Sequence, residues 1–160
     1  MVNKVAIVDY GMCNLDSVRR AVEECGGRAI VTDEQGDIES ADRIILPGVG
    51  AFPDAMRNLI ERGLHKVLEE QVRTERAPFL GICLGMQLLA SRGYEGGETA
   101  GLGWIEGDVR RLVPTETDRR IPHVGWNEVV ATGDSPLFDG IEPGVDFYFV
   151  HSYHFVCRAE

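Results

Sequence analysis

The stretch PFLGICLGMQLLA, Pro78–Ala90, decides the fold because it joins an apolar run to a helix-like pattern through a glycine-bracketed cysteine. The pattern predicts a buried strand at Pro78–Ile82 and a helix at Gly85–Arg92. Between them, Gly-Ile-Cys-Leu-Gly has the spacing of a nucleophile elbow, with Cys83 in the place of the nucleophile. Such a turn needs small residues two before and two after the nucleophile, since side chains there would meet the neighbouring backbone. Cys83 is therefore a candidate nucleophile, and a buried structural thiol is the alternative.

The sequence before this stretch alternates strand and helix patterns. Strands are predicted at Lys4–Asp9, Arg28–Thr32, Arg43–Leu46 and Pro78–Ile82; helices are predicted after Asn14 or Asp16, at Asp54–Glu61 and at Leu64–Arg73, with a short helical or turn segment at Ile38–Ala41. This order predicts an α/β fold with a doubly wound, mainly parallel sheet and helices on both faces.

After Gly93 the pattern changes to glycine-rich loops and short strands, which predict a small antiparallel β extension. Strands are expected at Glu106–Val113 and Gly125–Ala131, and the aromatic segment Val145–Ala159 is typical of a hairpin. We expect one domain over residues 1–160. A sheet of this kind usually closes with a further strand and helix, so we expect the sequence to be C-terminally truncated, a piece of a longer chain.

The charge, apolar runs and cysteines of the sequence exclude several kinds of binding partner and site. The net charge is −10, which argues against general binding to nucleic acid or to an anionic membrane. No signal peptide and no apolar run long enough for a membrane helix is present in the sequence. The four cysteines form no C-x-x-C pair, so no metal site is predicted, and reduced thiols in a cytoplasmic protein are expected.

Pro47-Gly48-Val49-Gly50 follows a predicted strand and is the second candidate for catalysis. Peptide N–H groups near Val49 or Gly50, together with that of Leu84, would point at the oxygen of a tetrahedral intermediate. An ordinary glycine turn is the alternative. A thiol nucleophile also needs a base, and none of the four histidines has a carboxylate partner that can be recognised from sequence.

Four segments in this order carry a resemblance: PGVGAF, PFLGICLGMQLL, IPHVGWNEV and FYFVHSYHFVC. The chain resembles the class I, triad-type glutamine amidotransferases, and among them the glutaminase subunits of imidazole glycerol phosphate synthase. The opening VAIVDYGMCNLDSV is similar as well, although the family commonly has Gly at the position of Cys13. The resemblance covers essentially the whole chain and implies a flavodoxin-like fold of the class I glutamine amidotransferase type.

The resemblance implies hydrolysis of L-glutamine through a thioester on Cys83, without a cofactor. Ammonia would pass to a partner synthase of (β/α)₈ fold, in a heterodimer that makes imidazole glycerol phosphate and AICAR in histidine biosynthesis. It places Val49, Gly50 and Leu84 around the oxyanion. By the same resemblance, substrate would be bound by Gln87, Glu95 and the backbone of Ser152 and Tyr153, and the synthase would be faced by Asn14, Pro122, Trp126 and Tyr148. From sequence alone, Trp126 and Tyr148 could equally be core aromatics, and Gln87 a surface residue.

The sequence departs from the family in one respect. The family's base and its orienting carboxylate lie in a His-Pro-Glu segment, and no histidine here is followed by proline. Without that pair the chain is expected to be inactive or impaired as an enzyme. Two alternatives to the first hypothesis therefore stay open: a paralogous glutaminase that feeds a sugar-modifying enzyme of surface polysaccharide synthesis, and a non-catalytic binding or regulatory partner.

Overall fold

The computed structural model describes residues 2–114, 120–131, 133 and 135–158. The helices are α1 (Leu15–Glu24), α2 (Gln35–Glu39), α3 (Phe52–Glu61), α4 (Leu64–Glu69) and α5 (Leu84–Gln87). The strands are β1 (Lys4–Val8), β2 (Arg28–Thr32), β3 (Arg43–Leu46), β4 (Phe79–Gly81), β5 (Ala90–Gly93), β6 (Thr99–Ala100), β7 (Ile105–Arg111), β8 (His123–Val129), β9 (Val145–His151) and β10 (Tyr153–Cys157). A π-helical turn follows α4 at Glu70–Thr74, and a 3₁₀ turn lies at Pro136–Phe138.

The first four strands form a parallel sheet in the order β2-β1-β3-β4. Strand β1 lies inside it, and Val5–Val8 are buried because β-branched and small side chains fill both faces of an interior parallel strand. Helix α3 buries Phe52 and Leu59 along one side, as its spacing of apolar residues requires. The predicted α/β architecture with a mainly parallel, doubly wound sheet is confirmed.

The helix predicted at Gly85–Arg92 is wrong beyond its first turn. Helix α5 ends at Gln87, and Ala90–Gly93 forms strand β5 instead. The reason is tertiary pairing: the N–H groups of Leu102 and Trp104 donate to the carbonyls of Leu88 and Leu89, and β5 pairs with β6 and β7. Hydrogen bonds to a distant segment thus override the local helical pattern.

The hairpin expected in Val145–Ala159 is also wrong. Strand β9 pairs antiparallel with β8, while β10 lies beside β7 in a second sheet of order β10-β7-β5-β6. Gly107 allows the close approach of β10, because a Cβ at that position would lie 2.3 Å from the carbonyl oxygen of Val156. Ala159, at the end of the predicted segment, lies outside the described residues.

Chain packing divides the described residues into two compact units. The first contains residues 2–110 and 155–158, and the second contains those of 111–154. The second unit has the small antiparallel sheet of β8 and β9, as predicted for the extension. The single domain expected over 1–160 stays a prediction. In the part of the chain that is described, no helix has the length and apolar character needed to cross a membrane.

Candidate active site

The loops after β1, β3 and β4 meet at one edge of the parallel sheet. These strands are neighbours, so their carboxyl ends lie side by side, and ligands of open α/β sheets bind at such an edge. The loops after β1 and β3 are joined by the N–H of Val49, which donates to the carbonyl of Met12 at 2.8 Å. The N–H of Ile82, directly after β4, donates to the carbonyl of Leu46 at the end of β3 at 3.0 Å. The chain passes from one side of β1 to the other between β2 and β3, so this edge includes the topological switch point.

Cys83 lies at this edge, between β4 and α5, in a strained and exposed turn. Its backbone has φ 54° and ψ −114°, which is the first central position of a type II′ turn and suits glycine rather than an L-residue. The bracketing glycines are required by space. A Cβ on Gly85 would lie 1.8 Å from the carbonyl oxygen of Leu46, and one on Gly81 would lie 2.7 Å from Cα of Met86. The turn therefore holds a thiol in the open at a backbone cost, which is typical of a nucleophile position.

Of the three residues expected around the oxyanion, Gly50 is exposed with φ 110°, while Val49 and Leu84 have their N–H groups bonded to the backbone in this conformation. The N–H of Leu84 donates to the carbonyl of Gly48 at 3.3 Å, and the N–H of Val49 donates to the carbonyl of Met12 at 2.8 Å. That carbonyl of Gly48 and that N–H of Val49 belong to the same peptide unit. A rotation of this single peptide by about 180° about its Cα–Cα axis would exchange the two directions, since the peptide moves as a plane. It would free the N–H of Leu84 and turn that of Val49 towards it.

The side chains expected to bind substrate in the first unit are those of Gln87 and Glu95. Gln87 is half-buried at the end of α5, and its N–H donates to the carbonyl of Cys83 at 3.1 Å. Glu95 is half-buried in the loop after β5, and its Oε2 accepts the N–H of Phe52 at 2.8 Å. Phe52 begins α3 two residues after Gly50, with Ala51 as the N-cap. Glu95 therefore caps α3 and fixes the end of the loop whose beginning is the Gly48–Val49 peptide.

Tyr10 is part of this site, and sequence reasoning did not single it out. Its side chain is fully buried, and its hydroxyl has no hydrogen-bond partner among the described residues. The pKa of Tyr10 is raised well above its ordinary value, first by burial, then by the nearby Cys13 thiol and, to a smaller extent, by Cys83. The Asp-Tyr-Gly turn after β1 was the available signal, because it ends at the same sheet edge as Cys83.

Cys13, where the family commonly has Gly, is half-buried against the same loops. Its Sγ lies 3.6 Å from the carbonyl oxygens of Val8 and Pro47. Burial raises the pKa of this thiol. It therefore stays in the neutral form, which can donate to those carbonyls. Asn14, the next residue, is exposed at the N-cap of α1 without a side-chain capping hydrogen bond.

The antiparallel sheet of the second unit has two different faces. Val124 pairs with Val150 and Trp126 with Tyr148, so these four side chains share one face, and all are exposed. Trp126 and Tyr148 pack edge to face with their ring centroids 5.4 Å apart. They are therefore not core aromatics of this unit. Pro122, just before β8, is exposed and follows a cis peptide bond.

The opposite face carries a hydrogen-bonded histidine pair that sequence reasoning missed. His123 Nδ1 lies 3.1 Å from His151 Nε2, and His151 Nδ1 lies 2.9 Å from the carbonyl of Tyr153. Since a carbonyl only accepts, His151 carries its proton on Nδ1, and His123 donates to its Nε2. Asn127 then donates to Nε2 of His123. The register that pairs His123 with His151 could not be read from sequence.

Ser152 and Tyr153, which were expected to bind substrate, and His65 each contact a neighbouring group of the protein. The carbonyl of Ser152 accepts the N–H of Leu112 at 2.8 Å, and the carbonyl of Tyr153 is the acceptor of the histidine pair. Nδ1 of His65 lies 3.4 Å from the carbonyl of Leu59 in the first unit. Among the described residues, no group of three or more His, Cys, Asp or Glu side chains is arranged to hold a metal ion.

Comparison with known proteins gives a consistent result. Residues 6–158 match the family model described as glutamine amidotransferase class-I. The chain is 50% identical over 156 residues to the imidazole glycerol phosphate synthase subunit HisH of Moorella thermoacetica, spanning 98% of this chain and 72% of that protein. It is 46% identical over 156 residues to subunit HisH 1 of Campylobacter jejuni, spanning 98% of this chain and 77% of the relative.

A solved structure resembles the fold at much lower sequence identity. The structure of PurLQS from Thermotoga maritima superposes with a TM-score of 0.69 at 19% identity, covering 100% of this chain and 72% of that chain. Identity at this level speaks for the fold alone.

Proposed function

This chain belongs to the glutamine amidotransferase class-I family, and we propose that it is the glutaminase subunit of an imidazole glycerol phosphate synthase in histidine biosynthesis. The observation that carries the proposal within the site is Cys83, held in an exposed strained turn between two glycines that no larger residue could replace. The relatives described above bear the name of this synthase subunit, so we keep the first hypothesis over the polysaccharide glutaminase and the non-catalytic partner.

In the proposed reaction, the Cys83 thiolate attacks the carbon of the glutamine side-chain amide. The carbonyl oxygen becomes an oxyanion, which two backbone N–H groups stabilise, and the C–N bond then breaks to release ammonia. The proton lost by the thiol reaches the leaving nitrogen through a base, for which the resemblance implies the histidine of a His-Pro-Glu segment. Water hydrolyses the resulting thioester to glutamate and restores the thiol.

The oxyanion site of this proposal uses the N–H groups of Leu84 and Val49 after rotation of the Gly48–Val49 peptide. Both donors are bonded to backbone carbonyls in the present conformation, so the site is closed until the peptide turns. A subunit that makes ammonia for a partner gains from such a closed state, because glutamine is not wasted. Removing one oxyanion donor lowers kcat by about 10²–10³ in other acyl-transfer enzymes, so closure of both would suppress the reaction strongly.

The test is glutamine hydrolysis by the full-length protein, with and without its synthase partner. Cys83→Ala should abolish ammonia release, while Cys25→Ala is the matched control, since it removes an exposed free thiol far along the chain from the elbow. Ammonia release that persists in Cys83→Ala would refute the mechanism. Equal release by the parent protein with and without the synthase would refute the closed resting state but not the nucleophile.

The exposed face of β8 and β9 is proposed to contact a synthase of (β/α)₈ fold, as part of a heterodimer through which ammonia passes. Exposed aromatic side chains next to valines are typical of interface anchors. Trp126→Ala should weaken the complex by about 2 kcal/mol, or roughly 30-fold in Kd, if Trp126 is a hot spot. Leu137→Ala is the control, because Leu137 is similarly exposed in the same unit but outside the strands. Equal affinities of the two variants would exclude this face.

The compartment is part of the same proposal. The free cysteines suit a reducing environment, which favours the cytoplasm. If the protein is isolated and denatured without a reducing agent, all four thiols should then react with an alkylating reagent.

A further inference from the structure

We propose that Tyr10 is a positioning residue for the oxyanion peptide: its hydroxyl donates a hydrogen bond to the carbonyl of Gly48 when the Gly48–Val49 peptide rotates into the catalytic conformation. This inference rests on the proposed function, since the oxyanion is that of glutamine hydrolysis. It assigns a role to a side chain that no step of the mechanism above uses.

The first observation is that the Tyr10 hydroxyl is buried and unpartnered. The side chain has no exposed area, and the hydroxyl makes no hydrogen bond within the described part of the chain. Leaving a buried donor unsatisfied is unfavourable, so such groups are rare in folded proteins and invite an explanation. The Cys13 thiol interacts with this hydroxyl closely enough to raise the pKa of Tyr10, in part as a hydrogen-bonding neighbour, but the two groups do not reach hydrogen-bond geometry. The sulfur of Cys13 lies 3.6 Å from the carbonyl oxygens of Val8 and Pro47 instead.

The second observation is that this hydroxyl touches the moving peptide. A Cβ added to Gly48 would lie 2.3 Å from the hydroxyl oxygen of Tyr10. The Cα of Gly48 is therefore within about 3.8 Å of that oxygen, one carbon–carbon bond further away. The carbonyl oxygen of Gly48 is about 2.4 Å from its own Cα, so rotation can bring it within hydrogen-bond distance of the hydroxyl.

The third observation is that the two states complement each other in hydrogen bonds. In the present conformation the Gly48 carbonyl accepts from Leu84, and the Tyr10 hydroxyl has no acceptor. Rotation takes the carbonyl away from Leu84, and because Gly48 is buried, the carbonyl would then lack a donor. The Tyr10 hydroxyl supplies that donor. The unsatisfied Tyr10 hydroxyl of the closed state thus pairs with the Gly48 carbonyl in the open state, which partly offsets the loss of the hydrogen bonds from Leu84 to Gly48 and from Val49 to Met12.

The same contact explains why position 48 is glycine. A Cβ there would also lie 2.8 Å from the amide nitrogen of Gly85, in addition to its collision with Tyr10. Neither neighbour can withdraw, because one is backbone and the other is a fully buried ring. The bare Cα lets the hydroxyl approach the peptide from the side.

The test compares Tyr10→Phe with the parent protein in the full-length enzyme bound to its synthase. Loss of the hydroxyl should lower kcat for glutamine hydrolysis about 3- to 10-fold, as expected for one neutral hydrogen bond, with KM for glutamine little changed. The thermal midpoint should stay the same or rise, because the hydroxyl has no partner in the resting conformation. Alkylation of Cys83 by iodoacetamide, followed by mass spectrometry of its peptide, should keep its rate because it needs no oxyanion site. Cys25→Ala is the control, because Cys25 is an exposed thiol at the end of α1, and it should leave kcat within about twofold.

Three results would overturn the inference: an unchanged kcat in Tyr10→Phe, a parallel loss of kcat and thermal midpoint, or an equal effect of Cys25→Ala. A readout that needs no activity separates this inference from the proposed function. NMR amide exchange at Val49 and Leu84 should slow in Tyr10→Phe, because the rotated peptide is populated less. If the parent releases no more ammonia than Cys83→Ala, the proposed function fails. The exchange rates then decide whether Tyr10 positions the peptide.

Discussion

Replacing Cys83 by glycine should make the protein more stable than replacing it by alanine. At an ordinary position the order is the reverse, since glycine loses more backbone freedom on folding and costs roughly 0.5–1 kcal/mol relative to alanine. At φ 54° and ψ −114°, a residue with a Cβ is strained by about 1–3 kcal/mol, and glycine is not. Cys83 is exposed, so neither variant opens a cavity.

The difference between the two variants follows from these two effects. Relief of about 2 kcal/mol of strain, less about 1 kcal/mol of backbone entropy, leaves Cys83→Gly about 1 kcal/mol more stable than Cys83→Ala. For a chain of this size that corresponds to roughly 2–4 °C in the thermal midpoint. Urea unfolding followed by circular dichroism gives the free energies directly.

Ala21 provides the matched control for this comparison. It is exposed within α1, where the backbone is helical, so Ala21→Gly should lower stability by about 1 kcal/mol. Glycine should thus be more stable than alanine at position 83 and less stable at position 21, and this difference in sign indicates backbone strain at the nucleophile. If Cys83→Gly is less stable than Cys83→Ala by the same amount as Ala21→Gly relative to the parent, the turn is not strained and the reasoning fails.

Two further predictions concern the packing beside Cys83 and a buried ion pair of β7. Gly85→Ala should lower the free energy of unfolding by about 3 kcal/mol or more, because its Cβ would collide with the Leu46 carbonyl and force α5 away from β3. Gly36→Ala is the control: it lies in open space at the start of α2 and should be neutral or slightly stabilising. Equal urea midpoints of the two variants would contradict the packing. Asp108→Asn should destabilise at neutral pH, because the hydrogen bond from Arg110 is the largest of the effects that hold the pKa of this buried carboxyl below its ordinary 3.8. A carboxyl whose pKa is lowered in the folded state contributes stability above pH 3.8, and this stability is lost as the pH falls through the folded-state pKa. The free energies of unfolding of parent and variant should therefore become equal in acid. A difference that does not depend on pH down to acid unfolding would show that the carboxylate charge is not the cause.

The sequence by itself determined the features that depend on local chemistry. Alternating strand and helix patterns predicted the parallel sheet, and the glycines around Cys83 predicted a tight turn after a strand. Both follow from short-range sterics: a strand inside a parallel sheet must be apolar on both faces, and a strained turn leaves no room for a Cβ. The segments that resemble the family could likewise be recognised from the sequence, since each is a contiguous stretch of the chain.

The tertiary structure decided what depends on contacts between distant segments. The helical pattern continues to residue 92, yet the chain leaves the helix after Gln87 and residues 90–93 form β5, because the backbone at 102–109 offers hydrogen bonds to residues 88–93. The aromatic segment divides between two sheets because β8 and β7 each take one half. The resting direction of the Gly48–Val49 peptide depends on Met12 and Leu84, which lie 36 or more residues away along the chain. Nor could sequence show that the Tyr10 hydroxyl lies buried and unpaired against Gly48, because packing three strand ends at one edge is what brings them together.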